Sequence, residues 1–284
     1  MCHSPQFQYA QVSKDSFDFS PVYRNVKKYL SSSDFTFGNL ETVTAGKEKG
    51  GYTGYPFFNT PSSYISALKV VGFDLLVTAN NHSLDRSEKG VLKTIDEIKS
   101  RNINYVGTYT SQRDRDSIRI FMIKGIRIAF LAYSYGTNGN PIPKGKNYLI
   151  NLINYDLIEK DISSSKLNGA ELVLVHFHFG EEYKREPVQF QKDVVNKTIE
   201  LGADIIIGGH PHVLQPINFY KTKNEKLDSG FVAYSMGNFF SNQQARYKDA
   251  GMILTINITK DLLNNKLEIS EVNYLPTWVF KGNT

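Results

Sequence analysis

The sequence holds one cysteine, Cys2, which excludes an internal disulfide and leaves the redox compartment unmarked. No stretch approaches the ~18 consecutive apolar residues of a membrane span. The polar opening Met1-Cys2-His3-Ser4-Pro5 is unlike a secretory signal peptide, so the chain as given is expected to be soluble. Basic residues outnumber acidic ones by 33 to 28, a net charge of +5, yet no basic run exceeds two consecutive residues. Zinc-finger spacings and aromatic-and-glycine RNP motifs are also missing, so no nucleic-acid partner is expected. The excess positive charge reads as solvated surface, compatible with an anionic polymer or a phosphate-bearing substrate. Internal repeats and low-complexity blocks are absent too.

What remains is an ordinary globular composition, 40% hydrophobic, 13% aromatic and 21% charged, neither disordered nor collagenous. A chain of 284 residues can bury one substantial core, and we expect a single domain over residues 1–284. Short apolar runs end in glycine or polar residues at 34–37, 73–77, 126–131, 171–175, 204–207, 231–234 and 252–256. Their continuous hydrophobicity predicts strands covered on both faces. Helical patterns lie between them at 21–30, 61–71, 87–101, 155–167 and 187–201, with Pro21 and Pro61 where a first turn tolerates proline. The alternation predicts an α/β fold, and the strand-rich last seventy or so residues add a mixed or second sheet. The glycine-rich stretch 46–54 is either a plain surface loop or a mobile rim, and Asn138-Gly139-Asn140-Pro141 reads as a turn.

Five of the six histidines, His82, His176, His178, His210 and His212, stand at or just after the ends of predicted strands, and His3 lies elsewhere. In α/β folds the loops at the carboxyl ends of strands converge, so residues far apart in sequence meet there. Gly208-Gly209-His210-Pro211-His212 carries the sharpest signal. Two glycines let the backbone approach closely, and the proline between the imidazoles limits the loop's freedom. Asn80-Asn81-His82-Ser83-Leu84-Asp85 offers an amide oxygen, an imidazole and a carboxylate within six residues. Asn81 suits a hard-oxygen ligand, whereas His82 reads as an acid or phosphate contact, with Asp85 its catalytic partner.

His176 and His178 share one face of a strand, and His178, nearer its end, is the preferred ligand. His176 is either packed or supports the ligands. Gly38-Asn39-Leu40-Glu41-Thr42 supplies the carboxylate that two cations would share, with Glu41 bridging. A water bound between such cations becomes nucleophilic near neutral pH. Asn39, Asn80, Glu181, Tyr183, Asn238 and, more locally, His3 complete the residues expected to orient ligands or touch substrate. The Pro56 to Pro61 segment is either core or an aromatic wall of the pocket.

Glycine-38 to Glu41, Phe58 to Pro61, Ala79 to Asp85, His178 to Tyr183, Gly208 to Gln215 and Tyr234 to Phe239, in this order, resemble the CapA family of poly-γ-glutamate capsule biosynthesis proteins. That family is a branch of the calcineurin-like metallophosphoesterase superfamily. The resemblance implies a sandwich of two mixed sheets flanked by helices, with a site for two divalent metal ions (Mn, Fe or Zn) at one edge. It implies that Asn81, His178 and His210 serve one metal and His212 the other, with Glu41 between them. It also implies a first strand ending in Gly-Asp-x-Met. Met1 aligns with that methionine, so the first strand and its aspartate are expected to be missing and one metal site incomplete.

From the resemblance we expect a role in capsule polymer biosynthesis at the cell envelope or its outer face, with membrane-associated synthesis proteins as partners. The expected chemistry is metal-dependent hydrolysis of a phosphoester or γ-glutamyl amide by a metal-bound hydroxide. The alternative is a non-catalytic component that binds the anionic polymer.

Overall fold

The computed structural model describes residues 1–281, so the last three residues of the expected domain lie outside the described ones. The strands are β1 (Gln11–Ser13), β2 (Ser16–Phe17), β3 (Phe37–Asn39), β4 (Leu75–Val77), β5 (Asn104–Val106), β6 (Arg119–Ile123) and β7 (Ile126–Ser134). They continue as β8 (Leu172–His178), β9 (Ile205–Gly209), β10 (Ile217–Lys221), β11 (Ser229–Ala233), β12 (Ala250–Asp261) and β13 (Lys266–Trp278). The helices are α1 (Ser4–Ala10), α2 (Lys27–Leu30), α3 (Ser63–Val70), α4 (Ser87–Lys99), α5 (Gln112–Asp116), α6 (Tyr155–Leu167) and α7 (Gln189–Leu201).

One mixed sheet runs β10-β11-β9-β8-β7-β6, parallel through its centre and antiparallel at both edges. Side-chain parity explains how it is covered. Ile128, Phe130, Leu174, Ile205 and Ile207 point inward to a shared core, while Leu131, Tyr133, Val175 and Ile206 point outward to Ile158, Ile162, Val194 and Val195 of α6 and α7. The inward core is closed by a second layer, the parallel sheet β3-β4-β5 and the long β12–β13 hairpin. Leu76 and Tyr105 on the far side of the three-stranded sheet pack against α3 and α4. The result is helices, sheet, sheet and helices in four layers, the mixed α/β sandwich expected from the sequence.

The second layer is divided. β3 and β12 are each outer strands of their sheets, and between them lies a cavity of about 1120 Å³ lined by residues 33–39 along one side and 252–260 along the other. Phe130, Leu174 and Ile207 form its apolar floor. Among the described residues no helix is long and apolar enough to cross a membrane.

Several boundaries differ from expectation. The 21–30 pattern breaks into a 3₁₀ turn, Ser20–Tyr23, and the short α2. The 46–54 stretch contains a 3₁₀ turn at Lys47–Lys49 and is tied down by a bridge between Thr53 and Asn59. Two buried acids hold the outer layers. Asp161 of α6 receives both guanidinium arms of Arg115 and the Tyr133 hydroxyl. Asp204, before β9, accepts the Val173 N–H at 2.8 Å with one oxygen and leaves the other buried without a partner.

Burial raises the Asp204 carboxyl from 3.8 to about 6. Between those values the folded state holds more protons than the unfolded one, so stability falls as pH rises through this window. Asp204→Asn keeps an acceptor for Val173 and should remove that slope. Urea unfolding at pH 4 and pH 7 should show the wild type losing up to about 3 kcal/mol relative to the variant.

Candidate metal centre

Six loops deliver the site, each leaving the carboxyl end of a strand, where a rigid sheet brings distant segments together. Glu41 follows β3, Asn81 and His82 follow β4, and Asn138 follows β7. His178 ends β8, His210 and His212 follow β9, and Asn238 follows β11. Gly208 is required by close approach, because a Cβ there would collide with the Tyr234 carbonyl oxygen. The loop beyond it is strained: His210 and His212 have φ of 99° and 57°, each costing about 1–3 kcal/mol.

The Glu41 carboxylate is buried among imidazoles. Its Oε1 lies 3.5 Å from Nε2 of His178 and 3.7 Å from Nε2 of His212, and it accepts no hydrogen bond. Glu41, His178 and His210 each offer a ligand atom within 4.8 Å of the others, and Glu182, His210 and His212 form a second such group. Burial holds the imidazoles below their usual value, to about 4 at His210, about 3 at His212 and well below normal at His178. They are therefore neutral at physiological pH, the form in which an imidazole can ligate a metal. The same burial pushes the Glu41 carboxyl up to about 7.

Neighbouring amides set the proton positions. Asn238 donates from Nδ2 to the Lys248 carbonyl at 2.6 Å and to Gln243 Oε1 at 3.0 Å. Its Oδ1 therefore accepts from Nδ1 of His212 at 3.0 Å. This leaves Nε2 of His212 a bare lone pair facing Glu41 and, at 4.0 Å, Glu182. Asn81 donates from Nδ2 to Asn138 at 3.1 Å, and its Oδ1 accepts from Nε2 of His178 at 2.8 Å. Nδ1 of His210 is buried without a partner. Oxygen and nitrogen acceptors thus converge with too few donors among them, an arrangement that fits a divalent cation.

His82 stands beside this cluster. Its Nδ1 lies 2.7 Å from Oδ2 of Asp85, which also accepts the Phe58 N–H at 2.7 Å. The ring packs edge-on against Phe58 and turns Nε2 toward Asn138 Nδ2 at 3.5 Å. Phe58 is thus buried and a wall of the site at once.

The remaining expected residues sit around the cluster. Asn39 places Nδ2 3.4 Å from Nδ1 of His178. Asn80 ties the first two loops together through the Leu40 carbonyl and the His82 N–H. His3 accepts from the Asn242 N–H and packs against Phe58. His176 lies one step deeper on the same strand face, lining the cavity, with Nδ1 unpartnered. Tyr183 lies 6.2 Å from His212, ring to ring.

Glu181 is exposed, and the carboxylate that reaches His212 is that of Glu182. Sequence reasoning also missed Asn138 and Tyr135, whose ring is 4.7 Å from that of His210. Only the turn motif at Asn138 marked either position.

Glu41→Gln should expose what the buried carboxylate costs. The amide gives the facing lone pairs a donor, so the metal-free protein should gain about 1–3 kcal/mol in chemical denaturation. The same variant should lose cation binding by calorimetry.

Residues 1–243 match the family described as "Bacterial capsule synthesis protein PGA_cap". The capsule biosynthesis protein CapA of Bacillus anthracis is 33% identical over 239 residues, covering 82% of this chain and 56% of that protein. The PGA biosynthesis protein CapA of Bacillus subtilis is 28% identical over 235 residues, covering 82% and 60%. The chain therefore spans little more than half the length of these relatives.

Among solved structures, a putative 5'-nucleotidase from Staphylococcus aureus superposes with a TM-score of 0.56 at 13% identity, over 99% of this chain and 53% of that one. The calcineurin-like phosphoesterase YfkN from Bacillus subtilis gives 0.53 at 12% identity, over 98% and 87%. The fold is that of the calcineurin-like phosphoesterases, and the chain belongs to the bacterial capsule synthesis protein PGA_cap family.

Proposed function

We propose that this chain is a metal-dependent hydrolase of capsule polymer biosynthesis, acting on a phosphoester or a γ-glutamyl amide. One observation carries the reading: the bare Nε2 of His212 and the unpartnered Glu41 Oε1 face each other across 3.7 Å with no donor between them. Glu41, Asn81, His178, His210 and His212 would hold the cations, Mn, Fe or Zn. When bound, these supply Lewis acidity and positive charge where negative charge develops on the substrate.

The chain's own groups do the rest. Asp85 accepts from Nδ1 of His82, which fixes the ring and turns Nε2 toward the site, where it can carry a proton to the departing oxygen or nitrogen. Phe58 and Tyr135 wall the site and limit water. Asn138 holds both Asn81 and His82, and so couples the ligand to the acid.

The two segments beside His212, 181–186 and 246–249, carry four cationic and four acidic side chains. Arg185 and Arg246 lie over the Tyr247 ring at 4.4 and 4.8 Å, and the Lys248 ammonium lies 3.2 Å over the Tyr183 ring. The chain's net charge of +5 motivates a second reading, a component that binds the anionic polymer without cleaving it. In either role the chain would act at the cell envelope beside membrane-associated synthesis proteins.

The protein, loaded with Mn²⁺, Fe²⁺ or Zn²⁺, should hydrolyse a phosphodiester or a γ-glutamyl amide. His82→Ala should lower kcat by about 10²–10⁴-fold while leaving metal content unchanged. A protein that retains no metal and turns over neither substrate sinks the hydrolase. If such a protein still binds poly-γ-glutamate, and keeps that binding in the folded His210→Ala/His212→Ala double variant, the second reading takes its place.

A further inference from the structure

The His178-to-Tyr183 motif contributes more than its histidine. The chain leaves β8 at His178, and two backbone bonds fasten it to the histidine loop: Phe179 N–H to the Gly209 carbonyl at 3.0 Å and Tyr183 N–H to the Pro211 carbonyl at 2.7 Å. Gln215, just past that loop, donates from Nε2 to the Lys184 carbonyl at 2.8 Å. Between these fixed points the backbone turns through positive φ at Gly180 (106°) and Tyr183 (67°). Gly180 is packed against the Gln191 side chain, which leaves no room for a Cβ. This turn sends Glu181 outward and brings Glu182 over His212, with Oε1 4.0 Å from Nε2.

Resting on the metal reading above, we propose that Glu182 is a direct carboxylate ligand of the second cation, completing a subsite with His212 beside His210. The lone-pair argument supports this directly. Nε2 of His212 has no proton to give, because Nδ1 donates to Asn238. Its approach to Glu182 is then a meeting of two acceptors, unfavourable in itself and favourable once a cation lies between them. The three donor atoms already lie within 4.8 Å of one another.

Glu182 differs from Glu41 in one respect that matters for function. Its side chain is 44% exposed, against 7% for Glu41. Glu41 is a fixed ligand within the core, whereas Glu182 is a ligand on the solvent side that can swing. The second cation is thus held more weakly and exchanges faster than the first, and it lies on the side open to solvent and substrate.

Chelator-stripped protein titrated with Mn²⁺ alone tests this, with bound metal counted by elemental analysis and affinities read by calorimetry. The wild type should take up two equivalents. Glu182→Gln should keep the tighter one and lose the weaker, or bind it roughly tenfold or more less tightly. Glu181→Gln removes the same charge one residue away and should match the wild type. Both sites are exposed, so folding is preserved, and circular dichroism verifies it.

Two wild-type equivalents in Glu182→Gln, or equal weakening in Glu181→Gln, would overturn the assignment and leave the hydrolase reading standing. A single equivalent that Glu182→Gln does not alter has the same meaning. A wild type that binds no Mn²⁺ overturns both.

Discussion

Everything at this site is organised around a carboxylate without a donor. Glu41 is removed from water, faces the imidazoles of His178 and His212, and has an oxygen that nothing hydrogen-bonds. A group in that position destabilises the folded state. The surroundings do little to relieve it, since burial keeps the histidines neutral and Asn238 turns the His212 proton away. The strained backbone at His210, His212 and Tyr183 adds to the cost. Such a concentration of unfavourable features is maintained where a fold is prepared to receive something positively charged.

The cluster can be held because the six-stranded sheet is stiff. β7, β8 and β9 are central parallel strands covered on both faces, and their ends cannot drift without disturbing the core between the sheets or the packing of α6 and α7. The loops are then tied to one another rather than to the body alone. Asn80 joins the first two, Asn138 bridges to the third, and Tyr183 joins the fourth to the fifth. Amides perform most of this work, and an amide that donates on one side is obliged to present its oxygen on the other.

Much of this was legible in the sequence, for reasons that also mark where legibility stops. Continuous apolar runs such as Ile205-Ile206-Ile207 announce buried strands, and α4, α6 and α7 fell within two residues of their patterns. The histidine loop declared itself through its glycines and its position after a strand. Contacts between distant segments left no such mark. Asn138 sits in a turn whose residue types are explained by the turn, so its reach to Asn81, 57 residues away, was invisible. The approach of Glu182 to His212 was equally unmarked, since it depends on a turn through positive φ at Gly180 and Tyr183. β13 was equally obscure: its residues alternate weakly, and it is a strand because β12 pairs with it along nearly its whole length.

The divided second layer has a further consequence. Glu41 belongs to the layer containing β3, which borders the cavity, whereas His178, His210 and His212 belong to the continuous six-stranded sheet. The two halves of the candidate metal cage are therefore carried by different layers. A cation shared between them would be a rivet through the sandwich, its binding free energy also adhesion between the layers. Depletion of metal would then loosen the molecule at its seam before it emptied the site of form.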